Sequence, residues 1–145
     1  MSIIAIDPGG ITGVATYDKG RGVIFTSHFD HFTLLDEVIK DAEVIIYEKP
    51  FAKATTNIVV FQVEGVILER SAAYNKPLQP QPPSVLKYVD SNFTEFMRTT
   101  KVKKRLIHEK DALRHLVRFL TFTNTLTIEE IEKLLLAKTT KSGNE

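Results

Sequence analysis

The chain begins with a short apolar run that ends in a carboxylate, and this feature constrains the fold most. Residues 2–6, SIIAI, are apolar and mostly β-branched, and Asp7-Pro8-Gly9-Gly10 follows directly. A run of this length bounded by proline and glycine predicts a strand that is buried on both faces. Two interpretations of the strand end are open: Asp7 is a metal-binding carboxylate, or the glycines form a loop that cradles phosphate.

Further apolar runs predict an α/β fold with a mixed sheet. Three early strands are joined by tight links and later strands are separated by helices, which favours a mixed sheet covered by helices. Thr127 followed by Glu130 predicts a capping box for the last helix. We expect strands at 2–6, 13–18, 22–29, 43–48 and briefly within 76–84, and helices at 33–41, 54–74, 84–97 (from Pro83, with mixed signals), 108–120 and 128–138.

Length and composition indicate an ordinary globular protein. The 145 residues fit one domain, which we place at 1–138, followed by a flexible tail at 139–145. The chain has no cysteine, which excludes disulfides, cysteine nucleophiles and zinc–thiolate sites. No apolar run reaches the roughly 20 residues of a membrane span. We therefore expect no contact with a membrane and a cytoplasmic location.

Basic residues are concentrated in one short stretch, although the net charge is only +1. Such a cluster forms either a surface that faces an anionic partner or a solvated helix face, and both interpretations stay open. The stretch contains Arg98, Lys101, Lys103, Lys104 and Arg105.

Acidic residues end two of the predicted strands. Asp7 and Glu48 would meet at one edge of the sheet if their strands were parallel neighbours. His108 and Asp111 are three residues apart and share a helical face, which His115 could share too. Converging carboxylates need a compensating cation, and oxygen-rich clusters suit Mg²⁺ or Mn²⁺. Two such ions, about 3.5–4 Å apart, support phosphodiester cleavage.

Four segments together resemble the RuvC-type Holliday-junction resolvases of the ribonuclease-H-like nuclease superfamily. They are Ile6-Asp7-Pro8-Gly9 with Thr12-Gly13; Glu48-Lys49-Pro50-Phe51 with Gln62-Val63-Glu64-Gly65; Pro83-Ser84-Val85-Leu86-Lys87; and His108-Glu109-Lys110-Asp111-Ala112. The resemblance implies a ribonuclease-H-like mixed five-stranded sheet flanked by helices. It also implies a homodimeric nuclease that cuts opposed strands of a four-way DNA junction.

The resemblance also implies residue roles. Asp7, Glu48, His108 and Asp111 would bind Mg²⁺, with two ions expected and Mn²⁺ as a substitute. Lys87 would contact the scissile phosphate, and Phe51 would stack on bases at the branch point. Lys53, Lys101, Lys103, Lys104 and Arg105 would contact the DNA. His115, one turn beyond Asp111, would face solvent or pack.

The chain departs from the usual family pattern in its connections. The first loop is one residue shorter than the commonest form, the stretch between Lys87 and His108 is shortened, and residues after 121 have no counterpart. A compact viral or phage resolvase, acting in a bacterial or infected host cell, fits these departures.

Three other functions stay open. Asp7-Pro8-Gly9-Gly10-Ile11-Thr12-Gly13 could be a phosphate loop of the sugar-kinase and actin-like ATPases, although these need a second phosphate loop and a second domain. A related ribonuclease-H-like nuclease acting on other branched DNA or structured RNA would use the same residues. The third alternative is a protein that binds branched nucleic acid without cutting it.

Overall fold

The computed structural model describes residues 1–30, 33, 35–50, 58–93, 95 and 106–143, with side chains described as far as residue 135. Within these residues, five strands form one sheet: β1 (Ser2–Asp7), β2 (Thr12–Asp18), β3 (Val23–Phe29), β4 (Ala42–Glu48) and β5 (Leu78–Gln81). The helices in the same ranges are α1 (Leu35–Asp41), α2 (Ile58–Ala73), α3 (Ser84–Asn92), α4 (Ile107–Phe122) and α5 (Ile128–Gly143).

The sheet is mixed, as predicted, with the strand order β3-β2-β1-β4-β5. The first three strands are antiparallel neighbours, whereas β1, β4 and β5 run parallel. Ile6 lies beside Tyr47 in the register, and Glu48 lies beside Gln81. The carboxyl ends of β1, β4 and β5 therefore meet at one edge of the sheet.

Alternate residues of β1 serve two separate cores. Ile4 and Ile6 pack on one face with α1 and α2. Ile3 and Ala5 pack on the other face, against α3, α4 and α5. Successive side chains of a strand point to opposite faces, so Asp7 continues the series of Ile3 and Ala5. The end of β1 thus directs its carboxylate to the layer that contains α4.

The structure contains two local features that the sequence predicts, the tight link between β2 and β3 and the capping box of α5. The link between β2 and β3 is a tight turn in which the Gly22 amide donates to the Asp18 carbonyl at 2.9 Å, with Gly22 at a φ of 63°. Thr127 and Glu130 form the predicted capping box: the Glu130 amide donates to Thr127 Oγ1 at 3.2 Å, and the Thr127 amide donates to Glu130 Oε1 at 3.0 Å.

The helix ends differ most from prediction. α4 begins one residue earlier and ends two residues later than expected, and α5 continues to Gly143, past the predicted end at 138. No proline or glycine interrupts 138–142, so nothing in this stretch stops the helix. The predicted start of the long helix at 54 lies outside the described residues. None of the helices in the described ranges is both long and apolar enough to cross a bilayer.

Candidate active site

Two acidic side chains meet at the edge of the sheet. Asp7 and Glu48 end the neighbouring parallel strands β1 and β4, and both follow the alternation that faces α4. Asp7 is buried, and the neighbouring Glu48 carboxyl helps to raise the pKa of Asp7. The structure therefore brings together the two strand-end acids that the sequence singles out.

Helix α4 begins directly over Asp7. His108, in its first turn, is joined by a hydrogen bond of 2.9 Å between its Nδ1 and Asp7 Oδ2. This contact depends on a close approach of backbones, because a Cβ built on Gly13 would lie 2.0 Å from the His108 carbonyl oxygen. Gly13 pairs with Asp7 across β1 and β2. The missing side chain at Gly13 thus admits the start of α4.

His115 contacts the second strand-end acid. It is completely buried, and its Nε2 lies 3.0 Å from Glu48 Oε1 while its Nδ1 lies 2.6 Å from Gln81 Oε1. The side chain therefore joins the ends of β4 and β5 to α4. Of the two expectations for His115, facing solvent or packing, the structure shows packing, and the contact gives the residue a direct role in holding Glu48.

Asp111 lies between the two histidines along α4 and is paired with an arginine. Arg114 Nη1 donates to Asp111 Oδ1 at 2.5 Å, and Arg114 Nε donates to Asp90 Oδ1 of α3 at 2.8 Å. The Arg114 side chain is only 12% exposed. Asp111 is thus held by a neutralising partner that ties α4 to α3.

The acids carry more negative charge than their surroundings favour. Burial raises the pKa of Asp7 to about 8, and repulsion from Glu48 and Asp111 adds to the shift. Burial also raises the pKa of Asp111, an effect that Arg114 opposes. Without a cation, the protonated form of Asp7 is therefore favoured. A divalent cation would instead stabilise the charged carboxylate.

This shift predicts that stability depends on pH. A carboxyl whose pKa is higher in the folded than in the unfolded state stabilises the fold fully only below its unfolded pKa, and the contribution falls as pH rises toward the folded value. Between about pH 4 and 8, the free energy of unfolding of the metal-free protein should fall, relative to Asp7→Asn, by up to about 1.4 kcal/mol per pH unit. Urea unfolding of both proteins across this range measures the difference. A difference independent of pH would show that Asp7 does not titrate as described.

Replacing the two histidines should lower the stability of the protein by different amounts. His115→Ala removes a fully buried side chain and leaves Gln81 unpaired, so we expect the free energy of unfolding to fall by about 1–3 kcal/mol. His108→Ala is the matched control, because its side chain is 40% exposed and its loss should cost much less. Urea unfolding measures both. Equal stability of the two variants would contradict the burial of His115.

The donor chemistry fits a hard divalent cation, although the side chains are paired among themselves. In the described part of the chain, no three histidine or acidic side chains converge to hold a metal ion. The contacts are instead Asp7 with His108, Glu48 with His115, and Asp111 with Arg114. Carboxylate oxygens are the ligands that Mg²⁺ prefers, and the pKa of Asp7 is raised by burial first and by repulsion from Glu48 and Asp111 second.

The remaining predicted residues are placed only in part. Lys87 is exposed on α3, one turn before Asp90. The other residues expected to contact nucleic acid lie outside the described residues: Phe51, Lys53, Arg98, Lys101, Lys103, Lys104 and Arg105.

The structure adds a buried contact that the sequence analysis missed. Glu109, next to His108, is 5% exposed. It accepts a hydrogen bond from Thr26 Oγ1 at 2.5 Å and lies 2.5 Å from His28 Nδ1. Both partners belong to β3, so Glu109 attaches the start of α4 to the outermost strand on the side of the sheet opposite β5. Gln81 and Arg114 were missed as well, since neither stands in a recognisable motif.

Solved structures with the same fold are known, although no protein-family model and no curated protein matches the sequence. The structure of RuvC from Thermus thermophilus matches with a TM-score of 0.60 and 16% identity, over 86% of this chain and 98% of that chain. T. thermophilus RuvC in complex with a Holliday junction substrate matches with a TM-score of 0.60 and 15% identity, over 86% and 97% of the two chains. At this identity the likeness shows the fold. The expected RuvC-like, ribonuclease-H-like fold is confirmed.

Proposed function

We propose that the protein is a Mg²⁺-dependent endonuclease that resolves four-way DNA junctions by paired phosphodiester hydrolysis. The observation that carries the proposal is the meeting of Asp7 and Glu48 at adjacent strand ends beneath the turn of α4 that contains His108 and Asp111. The RuvC-like fold supports it, since one of the matching structures is a RuvC bound to a Holliday junction. The arrangement is that of acids on rigid elements at one edge of a sheet, where a metal-dependent site is best fixed.

In this proposal Asp7, Glu48, His108 and Asp111 hold one or two Mg²⁺ ions, and Mn²⁺ substitutes for them. When bound, the metal activates water and stabilises the leaving oxygen of the phosphodiester. The chain itself orients these ligands: His115 and Gln81 hold the Glu48 carboxylate, and the contact of Gly13 with the His108 backbone seats α4 over Asp7. Coordination would exchange the present side-chain pairings for contacts with the cation.

Other residues would bind the DNA. Lys87, on the exposed side of α3, would contact the scissile phosphate, and Phe51 would stack on bases at the branch point. Lys53 and the basic run 98–105 would contact backbone phosphates along the junction arms. A junction-cutting enzyme of this kind would act in the cytoplasm, where the DNA of a bacterium or its virus lies.

Cleavage of defined substrates tests the function. Purified protein is incubated with Mg²⁺ and, separately, a four-way junction, a flap, a linear duplex and a structured RNA. We expect cuts in the four-way junction and none in the linear duplex. Preferred cleavage of the flap or the RNA would favour the related nuclease, and binding of the junction without cleavage of any substrate would favour the non-catalytic protein.

The proposed activity also predicts a homodimer. Two opposed strands are cut in concert most simply by a two-fold dimer with one site in each subunit. We therefore expect a particle of about twice 16.4 kDa in light scattering, and nicks placed symmetrically about the branch point. A monomer that makes single, unpaired nicks even when the junction is present would contradict the paired mechanism.

A further inference from the structure

A groove outside the acidic site combines exposed aromatic rings with an arginine, one nitrogen of which has no hydrogen-bond partner among the described residues. It lies between the edge strand β5 and the packed helices α3 and α4, and it has a cavity volume of about 580 Å³. None of the described residues that line it is acidic. Its lining includes Gln79, Pro80, Ser84, Tyr88, Arg118 and Phe122.

The arginine is held between two rings. The Arg118 guanidinium carbon lies 3.2 Å from the Phe122 ring centroid and 4.6 Å from that of Tyr88. Its Nη1 is buried and has no hydrogen-bond partner among the described residues. A buried charged donor without an acceptor costs free energy, so a ligand that brought an anionic oxygen to Arg118 would be favoured.

The rings themselves offer a stacking surface. Phe122 is 54% exposed and Tyr88 is 36% exposed, and their centroids are 5.4 Å apart. Together with an arginine they form the combination of aromatic rings and positive charge that binds unpaired nucleotides, with bases stacked on the rings and phosphate near the cation. An added peptide strand is a poorer fit, because Pro80 has no N–H to offer along the edge of β5.

We propose that this groove binds an unpaired stretch of nucleic acid, with a phosphate at Arg118 and a base on Phe122 or Tyr88. The groove also adjoins the acidic site, since Gln81 lines it and bonds to His115, which contacts Glu48. It would thus hold a single-stranded segment next to the site of cleavage. The inference rests on the proposed function only in taking nucleic acid as the ligand.

Binding of a short oligothymidylate in EDTA tests the groove without any cleavage. We expect Phe122→Ala and Arg118→Met each to weaken binding about five- to tenfold, the loss of one stacked base or phosphate contact. Leu68→Ala is the matched control, because Leu68 is 43% exposed on α2, on the other face of the sheet, and should bind as the wild type does. Arg118→Lys, which keeps the charge and most of the volume, should be intermediate, and thermal melts verify that each variant folds.

Unchanged binding by both groove variants, or equal losses in Leu68→Ala, would overturn the proposal. Failure of the oligothymidylate to bind while an acidic peptide binds would also overturn it and assign the groove to a protein partner. The two proposals fail separately. Junction cleavage with unaltered oligothymidylate binding in the variants would reject the groove alone, whereas groove-dependent binding without cleavage of any substrate would reject the nuclease alone.

Discussion

Asp7→Asn should lower the rate of junction cleavage by about 10³-fold or more, equivalent to about 4 kcal/mol of barrier. Asp7 is buried at the end of β1, contacts His108 and lies near Glu48, so its negative charge would be central to any bound cation. The amide keeps the shape and a hydrogen-bonding oxygen but loses that charge. Single-turnover cleavage of a labelled junction in Mg²⁺ measures the effect.

Binding should survive this substitution. Contacts of lysine and arginine with phosphates dominate affinity for DNA, and the loss of a carboxylate reduces repulsion. Asp18→Asn is the matched control: Asp18 also ends a strand, but it lies beside Ser2 at the opposite edge of the sheet, and its replacement should leave cleavage unchanged. Cleavage by Asp7→Asn at the wild-type rate would reject the proposed mechanism.

Among the described glycines, Gly13 should be the one at which replacement by alanine is most disruptive. The added Cβ would lie 2.0 Å from the His108 carbonyl oxygen and 2.2 Å from its carbonyl carbon, and both are backbone atoms that cannot turn aside. The start of α4 must move, so we expect the free energy of unfolding to fall by about 3 kcal/mol or more. Cleavage should fall too, because His108 would leave Asp7. Urea unfolding and the junction assay measure the two effects.

Gly10→Ala is the control for this prediction. Gly10 is in the loop that leads into β2, three residues before Gly13, but a Cβ there would meet nothing within 4 Å, so stability should change little. If Gly10→Ala destabilised the protein as much as Gly13→Ala, the effect would come from loop flexibility and not from the approach of α4. If both variants were as stable as the wild type, the close approach of β2 to α4 would be rejected.

The acidic end of the sheet can be predicted from the sequence because an acidic residue follows each of two apolar runs. Asp7 and Glu48 each follow an apolar run, and parallel pairing brings such ends together without any detail of side-chain packing. The capping box at Thr127 is predicted for the same reason, since its two residues are near neighbours in the chain. In all these cases the signal is local or follows from topology alone.

Residues that act across elements are harder to predict. Helical spacing shows that His115 could share a face with Asp111, but it does not show that this face meets Gln81 at the end of β5. Arg114 likewise reads as an ordinary charged helix residue, and its pairing with Asp90 appears only when α3 and α4 are packed. The neighbours of Gly13 in the sequence suggest a phosphate loop. In the structure, however, a glycine is needed there because the backbone of α4, almost a hundred residues later in the chain, approaches it closely.

The two-sided packing of β1 has a consequence for how such a chain can diverge. Ile4 and Ile6 belong to one core, and Ile3 and Ala5 belong to the other. Asp7 follows the alternation of Ile3 and Ala5, so the face on which its carboxylate lies depends on the number of residues in the strand. One residue inserted between Ile3 and Asp7 would turn Asp7 toward α1 and α2, while the side chains before the insertion kept their faces. Apolar residues can replace one another freely here, but insertions and deletions must fall in the connections. A lineage can therefore lose most of its sequence identity while the strand keeps its length and the acid its side of the sheet.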